Sequence, residues 1–183
     1  MDRRQRKTRN AIFSALIRLL SRKDFSKITV GEIIEEADVG RATFYAHFET
    51  KDFLLKALCE DLFCHIFDGG EKIDPGHQHL FHGDTQEGMF LHLMQHLQKN
   101  DNHILDLLSC PNNGLFLQFF KENLQKLIAR QLPLFENRKH KDLPDSFWCN
   151  HIASVFVETV QWWIGNGMRE SPETITSYFY LAV

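Results

Sequence analysis

No apolar run in this 183-residue chain comes near the roughly 18 residues that a membrane-spanning helix requires. The basic opening Arg3-Arg4-Gln5-Arg6-Lys7 leads into no uninterrupted hydrophobic segment of the kind a secretory signal carries. These absences predict a cytoplasmic protein with no membrane partner. Cysteine is sparse: Cys59, Cys64, Cys110 and Cys149 form no Cys-x-x-Cys pair and are too few for a secreted disulfide scaffold, so reduced and mostly buried thiols are expected. Alternating patterns of strand length and internal repeats are missing, which leaves an all-α chain. The strings H-E-x-x-H, G-x-S-x-G, G-x-G-x-x-G and the phosphate-binding loop are absent, as is the Glu-x-x-His of carboxylate-bridged di-iron bundles. Neither catalysis nor a cofactor is therefore expected.

The charge that is present is unevenly placed. Residues 1–56 carry 12 Lys/Arg against 8 Asp/Glu, whereas residues 57–183 carry 9 against 16, so a formal net charge of −3 conceals a basic first third. Arg3, Arg4, Arg6, Lys7 and Arg9 are its densest part, suited either to lying along phosphates or to a solvated tail. The first helix follows, beginning near Thr8 or Asn10, with Ile12, Ala15, Leu16, Leu19 and Leu20 as its inward stripe. Next come Thr29-Val30-Gly31-Glu32, a capping box that starts a short helix at about Val30 whose apolar positions Val30, Ile33, Ile34 and Ala37 share one face. Asp38-Val39-Gly40 supplies turn chemistry. A second short helix opens near Arg41, burying Phe44 and Phe48 while offering Ala42, Tyr45 and Ala46 outward, with Thr43 and His47 on a flank. Thr50 then caps a further helix. Two short helices joined by a turn in a basic segment point to a helix-turn-helix presented to the major groove of DNA.

The string Thr29-Val30-x-x-Ile33, then Ala37-x-Val39, then Thr43-Phe44-Tyr45-x-His47-Phe48-x-x-Lys51 followed by Asp52, resembles the DNA-binding domain of TetR/AcrR-type repressors. The resemblance is dense from Arg9 to about Leu58; beyond it only Trp163-x-x-x-Gly167-Met168-x-x-Ser171-Pro172-Glu173 is similar to one branch of these regulators. It implies Thr29, Tyr45, His47 and Lys51 on phosphates and Arg41, Ala42 and Thr43 near base edges, with Gly40 at a position where the family often has Ser or Thr. It further implies a double-stranded DNA operator with two-fold related half-sites, a homodimer, and a small-molecule effector that relieves repression.

The divisions expected are a helix-turn-helix domain over residues 1–50, a connecting helix over 51–68, and a helical ligand-binding and dimerisation domain over 69–183. The connecting helix should run Lys51–Phe67, with Phe53, Leu54, Ala57, Leu58, Leu62 and Ile66 on its apolar face. After a loop-like stretch from Asp68 to Asp84, helices are expected at 85–99, 101–109, 113–130, 145–165 and from Pro172 onward. The segment from Phe147 to Ile164 is apolar over more of its circumference than a surface helix needs, and adjacent Trp162 and Trp163 cannot share one face, so a partner surface is expected there, with Val160 as one of its positions. Phe90, Met94, Leu97, Phe116, Phe120, Phe156 and Trp163 could line an apolar effector cavity, and the same residues would serve equally as core. His77, His79 and His82 cluster, and His92 and His96 have the i, i+4 spacing of two imidazoles on one ion, but nothing completes a metal site and none is predicted.

Overall fold

The computed structural model describes residues 3–67, 86–99, 104–109 and 113–183. Among them every regular element is helical: α1 (Arg3–Leu20), α2 (Val30–Glu36), α3 (Arg41–His47), α4 (Lys51–Phe67), α5 (Gln86–Lys99), α6 (Ile104–Ser109), α7 (Gly114–Arg130), α8 (Asp145–Gly165) and α9 (Pro172–Ala182), with 3-10 turns at Phe25–Lys27 and Leu132–Arg138. None of the described helices is long and apolar enough to cross a membrane. The histidines at 77, 79 and 82 lie outside the described residues.

The elements begin where local chemistry starts them. At α2 the Thr29 hydroxyl accepts from the Glu32 amide at 3.2 Å while the Glu32 carboxylate accepts from the Thr29 amide at 2.9 Å. Its far end closes as a Schellman motif: Val39 N–H reaches the Ile34 carbonyl at 3.1 Å and Asp38 N–H the Glu35 carbonyl at 3.2 Å, with Asp38 at φ 52°. Asp tolerates that left-handed geometry better than most residues. The same closure ends α8, where Gly167 at φ 72° and Met168 bond back to Ile164 and Trp163. At α9 the Ser171 hydroxyl accepts from Thr174 N–H ahead of Pro172.

Two expectations about helix extent and face change. The first helix starts at Arg3 rather than Thr8 or Asn10, so the basic arm is part of α1. On α4, Phe53 is 52% exposed instead of joining the apolar face, whereas Leu55, Cys59 and Phe63 are buried with Leu54, Ala57, Leu58 and Leu62. This helix is enclosed on several sides because α1 packs on one and α7 on another. Around α4 the core is continuous: α1, α2 and α3 close over Ile12, Leu16, Ile33, Phe44 and Phe48, while α7 packs on α8 and α5 on α9.

Candidate nucleic-acid interface

The outward face of α3 rests on two buried aromatic rings. Phe44 and Phe48 are buried, their centroids 6.1 Å apart, and Phe13 of α1 lies 5.7 Å from Phe48. Phe48 has already left the helix, at φ −142° and ψ 121°, yet its ring still packs on the inward side. Arg41, Ala42, Thr43, Tyr45 and Ala46 are exposed, and His47 is half-buried. The Tyr45 ring stands edge-on to Phe44 at 5.5 Å, and the residue is 48% exposed. Seven residues on an aromatic base thus present a guanidinium, two small residues, two hydroxyls and an imidazole together. Such a surface can take phosphate oxygens and base edges.

The turn before α3 positions it. Gly40 is the N-cap in ordinary extended geometry, φ −74° and ψ 152°, and offers no side-chain cap. Thr29, at the head of α2, is exposed, but its hydroxyl hydrogen is engaged by Glu32 Oε2 at 2.9 Å. Glu32 also receives Lys23, and these hydrogen bonds, Lys23 first, hold its carboxyl down at about 2. Glu36 takes Arg18 through both its side chain and its carbonyl, with Arg22 at 3.7 Å, and its carboxyl is likewise lowered, chiefly by Arg18. These ion pairs fasten α1 and the turn that follows it to α2, the helix that leads into α3.

Two basic residues are engaged within the protein itself. Arg9 lies over the rings of Phe13 and Phe48, 4.8 and 5.5 Å from the centroids, with Asp61 of α4 at 3.8 Å. Lys51 directs its ammonium into the protein, donating to the carbonyls of Phe25, Ser26 and Ile28 at 2.9, 3.2 and 2.9 Å. Arg3, Arg4, Arg6 and Lys7 remain exposed on the first turns of α1.

In the C-terminal helices, the seven residues of the expected effector cavity are all buried but fall into separate groups. Phe90 and Phe156 are 5.1 Å apart and share a cluster with Phe135, Phe179 and Tyr180; Phe116 and Phe120 pair at 6.0 Å beside Phe63 of α4. Trp163 is tied off by its indole N–H donating to the Glu170 carbonyl at 3.0 Å, and Met94 and Leu97 are enclosed on α5. A groove of about 610 Å³ opens instead between α5, the second 3-10 turn and α9, lined by Leu91, Arg138, Glu173, Thr176, Ser177, Tyr180 and Leu181. Periodicity did not point to it, because Arg138 and Leu91 reach it from elements distant in sequence. Phe135 and Phe179 were also missed as cluster members; the Ile175/Phe179 spacing on α9 was the available signal. His92 and His96 meet Nε2 to Nε2 at 3.1 Å, a hydrogen-bonded pair, and among the described residues no group of three or more His, Cys, Asp or Glu side chains gathers as a metal site.

The outer face of α8 and α9 is apolar and, among the described residues, has nothing packed over it. Trp162 is 49% exposed with its ring 6.3 Å from that of Tyr178, itself half exposed; Leu181 is 83% exposed, and Phe147 is exposed near the start of α8. Val160 faces the other way and is 1% exposed, so it belongs to the core and not to a partner surface.

Comparison with known proteins bears on both halves. Residues 12–58 match the family model for bacterial regulatory proteins of the tetR family, and residues 84–182 match a model for the C-terminal region of transcriptional regulators. A solved structure of a TetR transcriptional regulator from Streptococcus agalactiae 2603V is 35% identical, with 97% of this chain and 94% of that one covered at a TM-score of 0.71. A TetR-family transcriptional regulator from Syntrophomonas wolfei, 21% identical over 97% of this chain and 95% of that one, shares the fold at a TM-score of 0.69. The HTH-type transcriptional regulator YxbF of Bacillus subtilis (strain 168) is 35% identical over 69 residues, 37% of this chain. That match spans 18% of the length of YxbF.

Proposed function

The chain belongs to the TetR family of bacterial regulatory proteins, DNA-binding transcriptional regulators and not enzymes, and from that premise we propose that it is a repressor that reads a pseudo-palindromic operator as a homodimer and lets go when a small molecule binds its C-terminal helices. The observation that carries this reading is the exposed face of α3, Arg41 to Ala46, held on the buried Phe44 and Phe48. Residues 1–50 form the reading unit in this proposal, 51–68 the lever, and 69–183 the effector and dimerisation domain. Arg41 is assigned to a guanine edge, Thr43 and Ala42 to neighbouring bases, and Tyr45, His47 and the exposed Arg3–Lys7 cluster to phosphates. One short helix covers too few base pairs for useful specificity, so two copies are required, their recognition helices roughly 34–36 Å apart on one face of the duplex. The apolar strip of Trp162, Tyr178 and Leu181 supports a second copy as its cover.

Selection from random duplexes, followed by titration of wild type and Arg41→Ala, tests the reading. The expected result is a two-fold related motif and, for Arg41→Ala, a relaxed preference at one position per half-site by about 1–3 kcal/mol. A selection returning no two-fold motif, or an Arg41→Ala protein with undiminished discrimination, would overturn it.

A further inference from the structure

We infer that Lys51 is a positioning residue for DNA recognition, a clamp that fixes the reading unit on the α4 lever, and not a phosphate contact. An ammonium has three N–H donors, and here three carbonyl oxygens, of Phe25, Ser26 and Ile28, lie at 2.9, 3.2 and 2.9 Å. They belong to the 3-10 turn and its exit, where backbone carbonyls lack a full complement of helical partners and a cation is favoured. The ammonium also sits 4.7 Å from the centroid of the Phe25 ring. A phosphate would have to draw the ammonium away from these three carbonyls, of which that of Phe25 also accepts from the Ile28 N–H at 3.1 Å.

The position of this clamp matters because the turn leads directly into Thr29 and the capping box of α2, which sets α3. Lys51 is the first residue of α4, so one side chain spans 23 to 26 residues of sequence to join lever and reader. Phe25 extends the joint. With Leu20, Leu55, Leu107, Asn113, Leu115 and Phe116 it lines a cleft of only about 10 Å³ between α1, α4, α6 and the start of α7. Asn113, just ahead of α7, donates to the Leu107 and Leu108 carbonyls of α6 at 3.2 and 2.7 Å. A shift of α4 or of the start of α7 is therefore delivered to the same turn, with little room for a further side chain to absorb it.

The inference rests on the sequence-specific reading proposed above, and its test separates the two. Affinities of wild type, Lys51→Met and Phe25→Leu are measured on the selected duplex and on a scrambled duplex over a range of salt, alongside melting temperature. Lys51→Met, which keeps the stem and loses the ammonium, should lose at least about fivefold on the selected duplex, the lower end of one base contact, and change little on the scrambled one. Its salt dependence should match wild type on both. A slope shallower by about 0.9 on both duplexes would identify a phosphate contact and overturn the inference. So would a lower melting temperature with both affinities intact, which marks a brace for stability alone. Should Lys51→Met fail to fold, Phe25→Leu decides: it retains the charge and should lose selected-site preference, and unchanged discrimination overturns the clamp. A wild-type protein preferring no duplex would sink the operator reading, while Lys51 would still be judged on the scrambled-duplex slope.

Discussion

At the scale of the residue, Gly40 shows how a position can be open to improvement beside the proposed DNA-reading face. Its φ and ψ are those of any N-cap, and an added Cβ would meet only Thr43 Oγ1 at an ordinary 3.7 Å. A hydroxyl there would accept from an amide that α3 leaves without a side-chain cap. Gly40→Ser should therefore raise stability by a few tenths of a kcal/mol, read as a melting temperature higher by about one degree. A lowered melting temperature would mean that the cap is already satisfied in some other way. Lys51 illustrates the opposite situation. Its place in a motif implied a phosphate, and its three acceptors lie in a turn that precedes it by more than twenty residues, a relation no local pattern encodes.

At the scale of the element, α2 is a seven-residue helix, too short to hold itself together by propensity. Its support is the capping box and the Lys23–Glu32 and Arg18–Glu36 ion pairs. Because the folded-state pKa of Glu32 is lowered from 4.5 to about 2, the stabilisation it supplies is complete above the ordinary carboxylate value and is lost as pH falls from 4.5 towards 2. Glu32→Gln removes the charge and with it this dependence. Thermal melts from about pH 6 down to about pH 2.5 should show a variant less stable than wild type at the upper end, with the gap closing on acidification. A gap that stays constant over the range would mean that the carboxylate is not the origin of the support.

At the scale of the whole molecule, the core and the proposed partner surface occupy opposite sides of α8. Val160 is enclosed by the chain itself, whereas Trp162, Tyr178 and Leu181 are open. Trp162→Glu should accordingly leave a folded protein that sediments near the 21.5 kDa of one chain, because two copies would each have to bury an uncompensated carboxylate. Val160→Asp should instead unfold the chain, an unpaired buried charge being among the most destabilising of substitutions. A Trp162→Glu protein that still sediments as a dimer would place the interface elsewhere.

The sequence by itself determined whatever depends on neighbours within one or two turns. The bounds Lys51–Phe67 and Asp145–Gly165, the capping box at Thr29, the Ser171-Pro172 start of α9 and the outward set on α3 all follow from caps and helical periodicity, because those forces act over three or four residues. The fold class was legible for the same reason. The tertiary structure alone decided which apolar and charged side chains meet. Phe53 turns out and Val160 in, Arg9 lies over Phe13 and Phe48, and Phe116 joins the α4 side while Phe90 joins Phe135 and Phe179. An apolar face states that a residue will be buried but not against what, and a cation states that it will seek oxygen or a ring but not which. Those choices depend on how the helices pack, which brings together groups that lie far apart along the chain.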